Sequence, residues 1–178
     1  MSSNYCIIPE CYIDSCLIEV LLLANRDHVN HKKGNGTVVS EMKTSFENDF
    51  CVGIIDEDRK DLDYLVEFSV VIETNHLKLW KHQIKNHYMI QVRPVIEKWI
   101  IGLCKEWDIS LKEANLPEEW IDLVKITKSV SSKTDQRFIG LFKKMRKKEI
   151  GPILQLQNWL EYLKANKYNV DINQLTNG

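Results

Sequence analysis

Residues 50–59 read FCVGIIDEDR, an apolar run that leads directly into three consecutive acidic residues. A short apolar run of this kind predicts a strand buried on both faces, as in parallel sheets. Residues 5–8 read YCII and repeat the pattern, ending at Pro9 and Glu10. Two such strands with a helical pattern between them predict an α/β fold.

The rest of the first 110 residues alternates helix and strand patterns. Three helices are predicted from apolar residues at helical spacing, over residues 11–25, over residues 38–48 and from Pro94 onward. Residues 62–70 also fit a helix, although their Val and Ile content leaves a strand open. Two short strands are predicted at 77–80 and 88–92. We therefore expect a mostly parallel sheet flanked by helices.

From about residue 111 onward the pattern is helical only. The polar stretch at 125–137 is predicted to be a loop between helices. The chain is thus expected to consist of an α/β domain at residues 1–110 and a helical extension at 111–178 that packs on it.

The overall charge hides a strong asymmetry along the chain. The 24 Lys and Arg residues against 25 Asp and Glu residues give a net charge of −1, which excludes a uniformly basic nucleic-acid binder. Residues 1–122 hold 13 basic and 21 acidic residues, whereas residues 123–178 hold 11 and 4. Five cations concentrate in one short segment, Lys143, Lys144, Arg146, Lys147 and Lys148. They are either a solvated helix end or contacts to a phosphate backbone.

Cysteine use and hydropathy predict the cellular location. The five cysteines are an odd number, and their spacing fits no paired-cysteine zinc motif. The first ten residues carry no charged segment followed by an apolar run, and no apolar run reaches the length of a membrane span. We expect a cytoplasmic protein with reduced thiols and no membrane contact.

Acidic residues follow both of the buried strands, with Glu10 after the first and Asp56 and Asp58 after the second. The carboxyl ends of parallel strands form the crevice in which α/β proteins bind ligands. Two anions about 4 Å apart repel by roughly 4 kcal/mol at an effective dielectric near 20. Such a cluster therefore needs a shared proton or a divalent cation, and carboxylate oxygens favour Mg²⁺ or Mn²⁺ over zinc.

These residues carry a resemblance to a known family. Ile7-Ile8-Pro9-Glu10 before a helix and the segment VGIIDEDR at 52–59 resemble the Toprim domain, in which a glutamate ends the first strand and Asp-x-Asp ends a later one. The segment VRPVIEKW at 92–99 is similar to one in small stand-alone Toprim-like proteins and in the nuclease module of overcoming-lysogenization-defect proteins. The resemblance covers residues 4 to about 108 and implies a Rossmann-like, Toprim-type sheet.

The resemblance also implies a function. Glu10, Asp56 and Asp58 would be the catalytic residues and the ligands of Mg²⁺ or Mn²⁺, with Glu97 as a further ligand and Asp14 in support. The implied activity is phosphodiester cleavage, with DNA favoured over RNA, in defence against phage or foreign DNA beside an ATPase partner. Cys11 stands where the family usually has Gly.

Other interpretations of the same residues stay open. Glu10 and Glu97 also suit the first turn of a helix, where a carboxylate meets the positive end of the helix dipole. The acidic residues at 56–58 also suit an ordinary solvated turn. The alternative function is a non-catalytic interaction subunit, in which Cys11 obstructs the site and the helical half binds a partner protein.

Overall fold

The computed structural model describes residues 6–23, 29–57 and 63–176 of the chain. In these ranges the chain has an α/β architecture with one five-stranded sheet. The strands are β1 (Ile7–Pro9), β2 (Cys51–Asp56), β3 (Phe68–Glu73), β4 (Leu77–His82) and β5 (His87–Val92). The α-helices are α1 (Tyr12–Leu21), α2 (Asn35–Thr44), α3 (Ile96–Glu106), α4 (Trp120–Thr127), α5 (Gln136–Lys147), α6 (Gly151–Asn166) and α7 (Ile172–Thr176).

The sheet is mixed, so the expectation of a mostly parallel sheet is wrong. The strand order is β1-β2-β5-β4-β3, with β2 parallel to both β1 and β5, and β4 antiparallel to both β5 and β3. The links at 74–76 and 83–86 are too short for a parallel crossover, which needs a dozen or more residues. They therefore impose antiparallel hairpins on the second half of the sheet.

The helix predicted at 62–70 is also wrong over the described part of that segment. Residues Asp63–Glu67 form a 3-10 turn and Phe68–Glu73 form β3. The β-branched residues Val70, Val71 and Ile72 favour the strand, because branching at Cβ restricts side-chain freedom in a helix. The structure therefore takes the alternative that their composition left open.

One face of the sheet is covered by α2. Ile8, Ile55 and Met89 on this face pack with Val38 and Met42 of the helix. The approach of α2 to the sheet is close at Gly53, where a Cβ atom would lie 2.7 Å from the Met89 sulfur and 2.8 Å from the Met42 sulfur. A residue without a side chain is needed at this point of β2.

The other face is covered by a continuous core that joins both halves of the sequence. Ile54 and Ile90 of the sheet belong to the same buried cluster as Leu17 of α1, Phe142 of α5 and Leu156 of α6. The C-terminal helices therefore pack directly on the α/β part, with α5 against α1. The predicted boundary near residue 110 remains a prediction.

The polar stretch at 125–137 contains more structure than a loop. It holds the end of α4, a 3-10 turn at Val130–Thr134 and the first residues of α5, which Asp135 caps by accepting the Arg137 N–H at 2.9 Å. Within the described ranges, no helix is long and apolar enough to cross a membrane.

Candidate functional site

β1 and β2 end side by side at the carboxyl edge of the sheet. Their parallel register pairs Pro9 with Ile54. The Glu10 backbone N–H donates to the Ile54 carbonyl at 2.9 Å, and the Glu10 carboxylate oxygen Oε2 accepts the Asp56 N–H at 3.1 Å. The structure thus brings together two acidic residues that are 46 positions apart in the sequence.

Asp56 also contacts the beginning of α3. Its Oδ1 atom accepts the Ile96 N–H at 2.9 Å. This N–H is one of those at a helix start that have no partner within the helix. Val95 at the N-cap position provides no side-chain cap. Asp56 therefore supplies, from the end of β2, the acceptor that a capping residue usually provides.

Asp14 lies in the first turn of α1 and is only 2% exposed. Its Oδ2 atom accepts two hydrogen bonds from Cys11, one from the backbone N–H at 3.1 Å and one from the thiol at 2.9 Å. Its Oδ1 atom is buried and accepts no hydrogen bond from the described residues. An ionised carboxylate oxygen in such a place is costly without a proton or a cation beside it.

Glu97 occupies the first turn of α3, beside the Ile96 N–H that Asp56 binds. Its Oε1 atom accepts a hydrogen bond from the Thr127 hydroxyl at 2.5 Å. Glu97 therefore has a specific partner at the end of α4 and is more than a solvated helix-start carboxylate.

The pKa values of Asp14 and Asp56 are raised by burial and by the neighbouring carboxylates. Burial, followed by the charges of Asp14, Glu10 and Glu97, raises the pKa of Asp56 to about 9. Burial and the charges of Glu10 and Glu97 raise the pKa of Asp14 to about 7, against the hydrogen bonds from Cys11, which lower it. Burial and crowding therefore disfavour full ionisation of the cluster, and a bound proton or a nearby cation would relieve the repulsion.

The expected ligand Asp58 lies outside the described residues, and its contribution stays a prediction. In the described part of the chain, no three His, Cys, Asp or Glu side chains are gathered into a metal-ligand arrangement. Glu10, Asp14 and Asp56 each have one carboxylate oxygen engaged with an N–H or thiol of the protein. The carboxylates of Glu10, Asp14, Asp56 and Glu97 offer the hard oxygen atoms that Mg²⁺ or Mn²⁺ prefers, and Asp14 Oδ1 is a buried acceptor that a proton or a cation would satisfy.

Cys11 lies at the N-cap of α1, directly after Glu10 and three residues before Asp14. Burial, reinforced by the charge of Asp14, raises the pKa of the Cys11 thiol far above its ordinary value. The thiol is therefore neutral and acts as a donor to Asp14.

The basic segment lies at the far end of the same helices. Arg146 donates to the Val20 carbonyl at 3.1 Å, near the C-terminus of α1, and Lys148 Nζ lies 3.3 Å from the Trp107 carbonyl at the C-terminus of α3. Cations at these places stabilise the negative ends of the helix dipoles. Ten residues of α3 separate Trp107 from Glu97, which corresponds to about 15 Å along the axis. The two charged regions therefore do not adjoin.

Sequence reasoning did not identify Thr127 or the contacts of His31. The His31 ring stacks on Tyr12 with centroids 4.0 Å apart, and its Nδ1 atom lies 3.2 Å from the Ser15 hydroxyl. The residues in each contact are distant in sequence and belong to no motif. The contacts therefore become visible only when the segment before α2 and the end of α4 are seen packed in the structure.

Comparison with protein-family models, with curated proteins and with solved structures finds no match to this chain.

Proposed function

We propose that this protein is a Toprim-like phosphodiester-cleaving enzyme that uses Mg²⁺ or Mn²⁺. The observation that carries the proposal is the crowding of negative charge around Asp56: its backbone N–H donates to the Glu10 carboxylate at 3.1 Å, and the charges of Asp14, Glu10 and Glu97 raise the pKa of its side chain. A solvated turn or a helix-start carboxylate accounts for Glu10 or Glu97 alone, but neither accounts for the burial and the raised pKa values of Asp14 and Asp56 beside them.

The residues have distinct roles in this proposal. Glu10, Asp56 and Asp58 hold the cation, with Glu97 as a further ligand. When bound, the cation polarises a phosphoryl oxygen and stabilises the charge that develops during cleavage. Glu10 also transfers a proton, because its carboxylate lies at the open strand end and is oriented by the Asp56 N–H. Asp56 additionally fixes the start of α3 against β2.

The proposed substrate is nucleic acid, with DNA favoured over RNA, and the proposed setting is defence against phage or foreign DNA with an ATPase partner. The resemblance of the motifs at 7–10, 52–59 and 92–99 supports this assignment. Phosphate contacts by Lys143, Lys144, Arg146, Lys147 and Lys148 remain part of the proposal. Since Lys148 contacts the end of α3 that is about 15 Å along the axis from Glu97, it would bind the strand at a distance from the cleaved bond.

Cleavage assays on labelled DNA and RNA with Mg²⁺ or Mn²⁺ test the proposal. The variant is Asp56→Asn, which keeps an oxygen acceptor for the Ile96 N–H but removes the charge. The matched control is Asp122→Asn, an exposed carboxylate paired with Lys125 on α4. Metal-dependent cleavage that Asp56→Asn abolishes and Asp122→Asn retains is the expected result. Absence of cleavage by the wild-type protein with every metal and both substrates contradicts it.

One observation favours the alternative, a non-catalytic interaction subunit. The Cys11 thiol occupies one oxygen of Asp14, where the Toprim pattern has no side chain. Substitution of Cys11 by Gly separates the two functions. If the thiol obstructs an otherwise complete site, Cys11→Gly gains cleavage that the wild-type protein lacks. If the wild-type protein cleaves, the subunit alternative fails.

A further inference from the structure

Thr127 makes an unusual contact for a residue at the end of a helix. Its side chain is buried, at 1% exposure, and its hydroxyl donates to Oε1 of Glu97 at 2.5 Å. A short O–H···O contact to a carboxylate is the geometry of a charge-assisted hydrogen bond, which is about twice as strong as a neutral one. The contact joins α4 to the first turn of α3.

The Thr127 hydroxyl could form a hydrogen bond without Glu97. The Val124 carbonyl lies 3.2 Å away and is the local acceptor that a helical Thr ordinarily uses. The hydroxyl has one hydrogen, and the shorter contact to a charged oxygen takes it. The bond therefore acts mainly on Glu97, whose rotation it fixes.

The segment after Thr127 is itself held in place. The Ser132 hydroxyl, fully buried, donates to the Thr127 carbonyl at 2.8 Å. The 3-10 turn that contains Ser132 packs on α1, and Lys133 of that turn pairs with Glu19 of α1 at 3.1 Å. The turn thus connects α1, which carries Asp14, with α3, which carries Glu97.

From these contacts we propose that Thr127 is a positioning residue that holds the Glu97 carboxylate in the acidic cluster. The inference rests on the proposed function in so far as the cluster binds a divalent cation. It assigns to the helical C-terminal part of the chain a share in the site, because α4 and the 3-10 turn supply the group that orients one of the four carboxylates.

The test compares Thr127→Val, which removes the hydroxyl at nearly constant volume, with Thr127→Ser, which restores it. The matched control is Thr44→Val, which removes an exposed hydroxyl bonded within α2. Mn²⁺ binding is measured by titration calorimetry on the full chain. Thr127→Val is expected to weaken Mn²⁺ binding by about 10- to 100-fold, as loss of an orienting partner usually does, while Thr127→Ser and Thr44→Val stay near wild type. In a Glu97→Ala background, Thr127→Val is expected to have no further effect on Mn²⁺ binding.

A second readout does not depend on metal. A double-mutant cycle of Thr127→Val with Glu97→Ala, measured by denaturant unfolding of the metal-free protein, is expected to show coupling of about tenfold in the unfolding equilibrium constant. Additive effects in this cycle overturn the proposal. So does a Thr127→Val protein that binds Mn²⁺ as the wild type does. A wild-type protein that binds no Mn²⁺ refutes the proposed function, and the cycle alone then decides the role of Thr127.

Discussion

Substitution of Asp56 by Asn should change how the stability of the protein depends on pH. The folded-state pKa of Asp56 is raised to about 9, from an ordinary value of 3.8, by burial and by the neighbouring carboxylates. Between these two values the folded protein keeps a proton on Asp56 that the unfolded chain has lost. Stability contributed by this group is therefore fully present below the lower value and is lost as the pH rises toward the upper one.

The magnitude follows from the linkage relation. One proton retained only by the folded state lowers the free energy of unfolding by at most about 1.4 kcal/mol for each pH unit. Asp56 keeps partial access to solvent, so we expect about 1 kcal/mol per unit, or about 3 kcal/mol between pH 5 and pH 8. Asn carries no titrating proton and still accepts the Ile96 N–H. The variant should thus equal the wild type near pH 4 and exceed it increasingly above.

The assay is equilibrium unfolding in urea at a series of pH values without divalent cations. Asp122→Asn, the exposed control, should run parallel to the wild type. If the Asp56→Asn curve is also parallel between pH 5 and pH 8, the burial and crowding argument is refuted. Saturating Mg²⁺ at pH 8 should stabilise the wild type by about 2.7 kcal/mol at one hundred times its Kd and leave Asp56→Asn unchanged.

Three further predictions concern the rest of the fold. His87 is buried, and its ring nitrogens contact the Tyr64 hydroxyl and the Phe46 carbonyl. Burial lowers the pKa of His87 from its ordinary value of 6.5, so the unfolded chain binds a proton more readily and the protein loses stability as the pH falls below 6.5. His87→Gln should lose about 1–3 kcal/mol at pH 7 by urea unfolding, and its deficit should shrink at pH 5. Gly53→Ala should lose about 1–2 kcal/mol because its Cβ overlaps two methionine sulfurs, whereas Gly102→Ala, in open space on α3, should gain up to about 1 kcal/mol. Phe142→Ala should lose about 3–5 kcal/mol, with both halves of the chain melting together, since this residue lies in the core that they share; separate transitions by calorimetry would contradict this.

The apolar runs of the sequence are sufficient to predict the two parallel strands β1 and β2. The runs at 7–9 and 51–56 are short, continuous and bounded by acidic residues, and no helix of that length could bury all of its sides. The strands at 77–80 and 88–92 are predicted, but their antiparallel pairing is not, and β3 is only the alternative to a helix at 62–70. The direction of β4 depends on the short links of three and four residues on either side of it. The pattern of alternating strands and helices favours a helix at residues 62–70 and does not express this constraint.

The candidate site divides in a similar way. The proximity of Glu10 and Asp56 is predictable, because each follows a buried apolar run and parallel strands end at the same edge of a sheet. The contact of Thr127 with Glu97 depends on where α4 packs, and the position of the basic segment depends on which helix ends Arg146 and Lys148 reach. Such placements come from long-range packing, and the local sequence contains no signal for them.

Because α2 packs closely on β2, oxidation of the methionines between them can measure how often this helix separates from the sheet. Met42 and Met89 lie against Gly53 with no exposed surface, so peroxide can reach their sulfurs only when α2 lifts from the sheet. Oxidation of Met42 or Met89 to the sulfoxide adds a polar oxygen for which there is no space at Gly53. After oxidation, α2 could therefore not return to its native packing on the sheet. The rate at which these two methionines oxidise therefore measures how often this layer opens, and each such event would be permanent until a reductase reversed it.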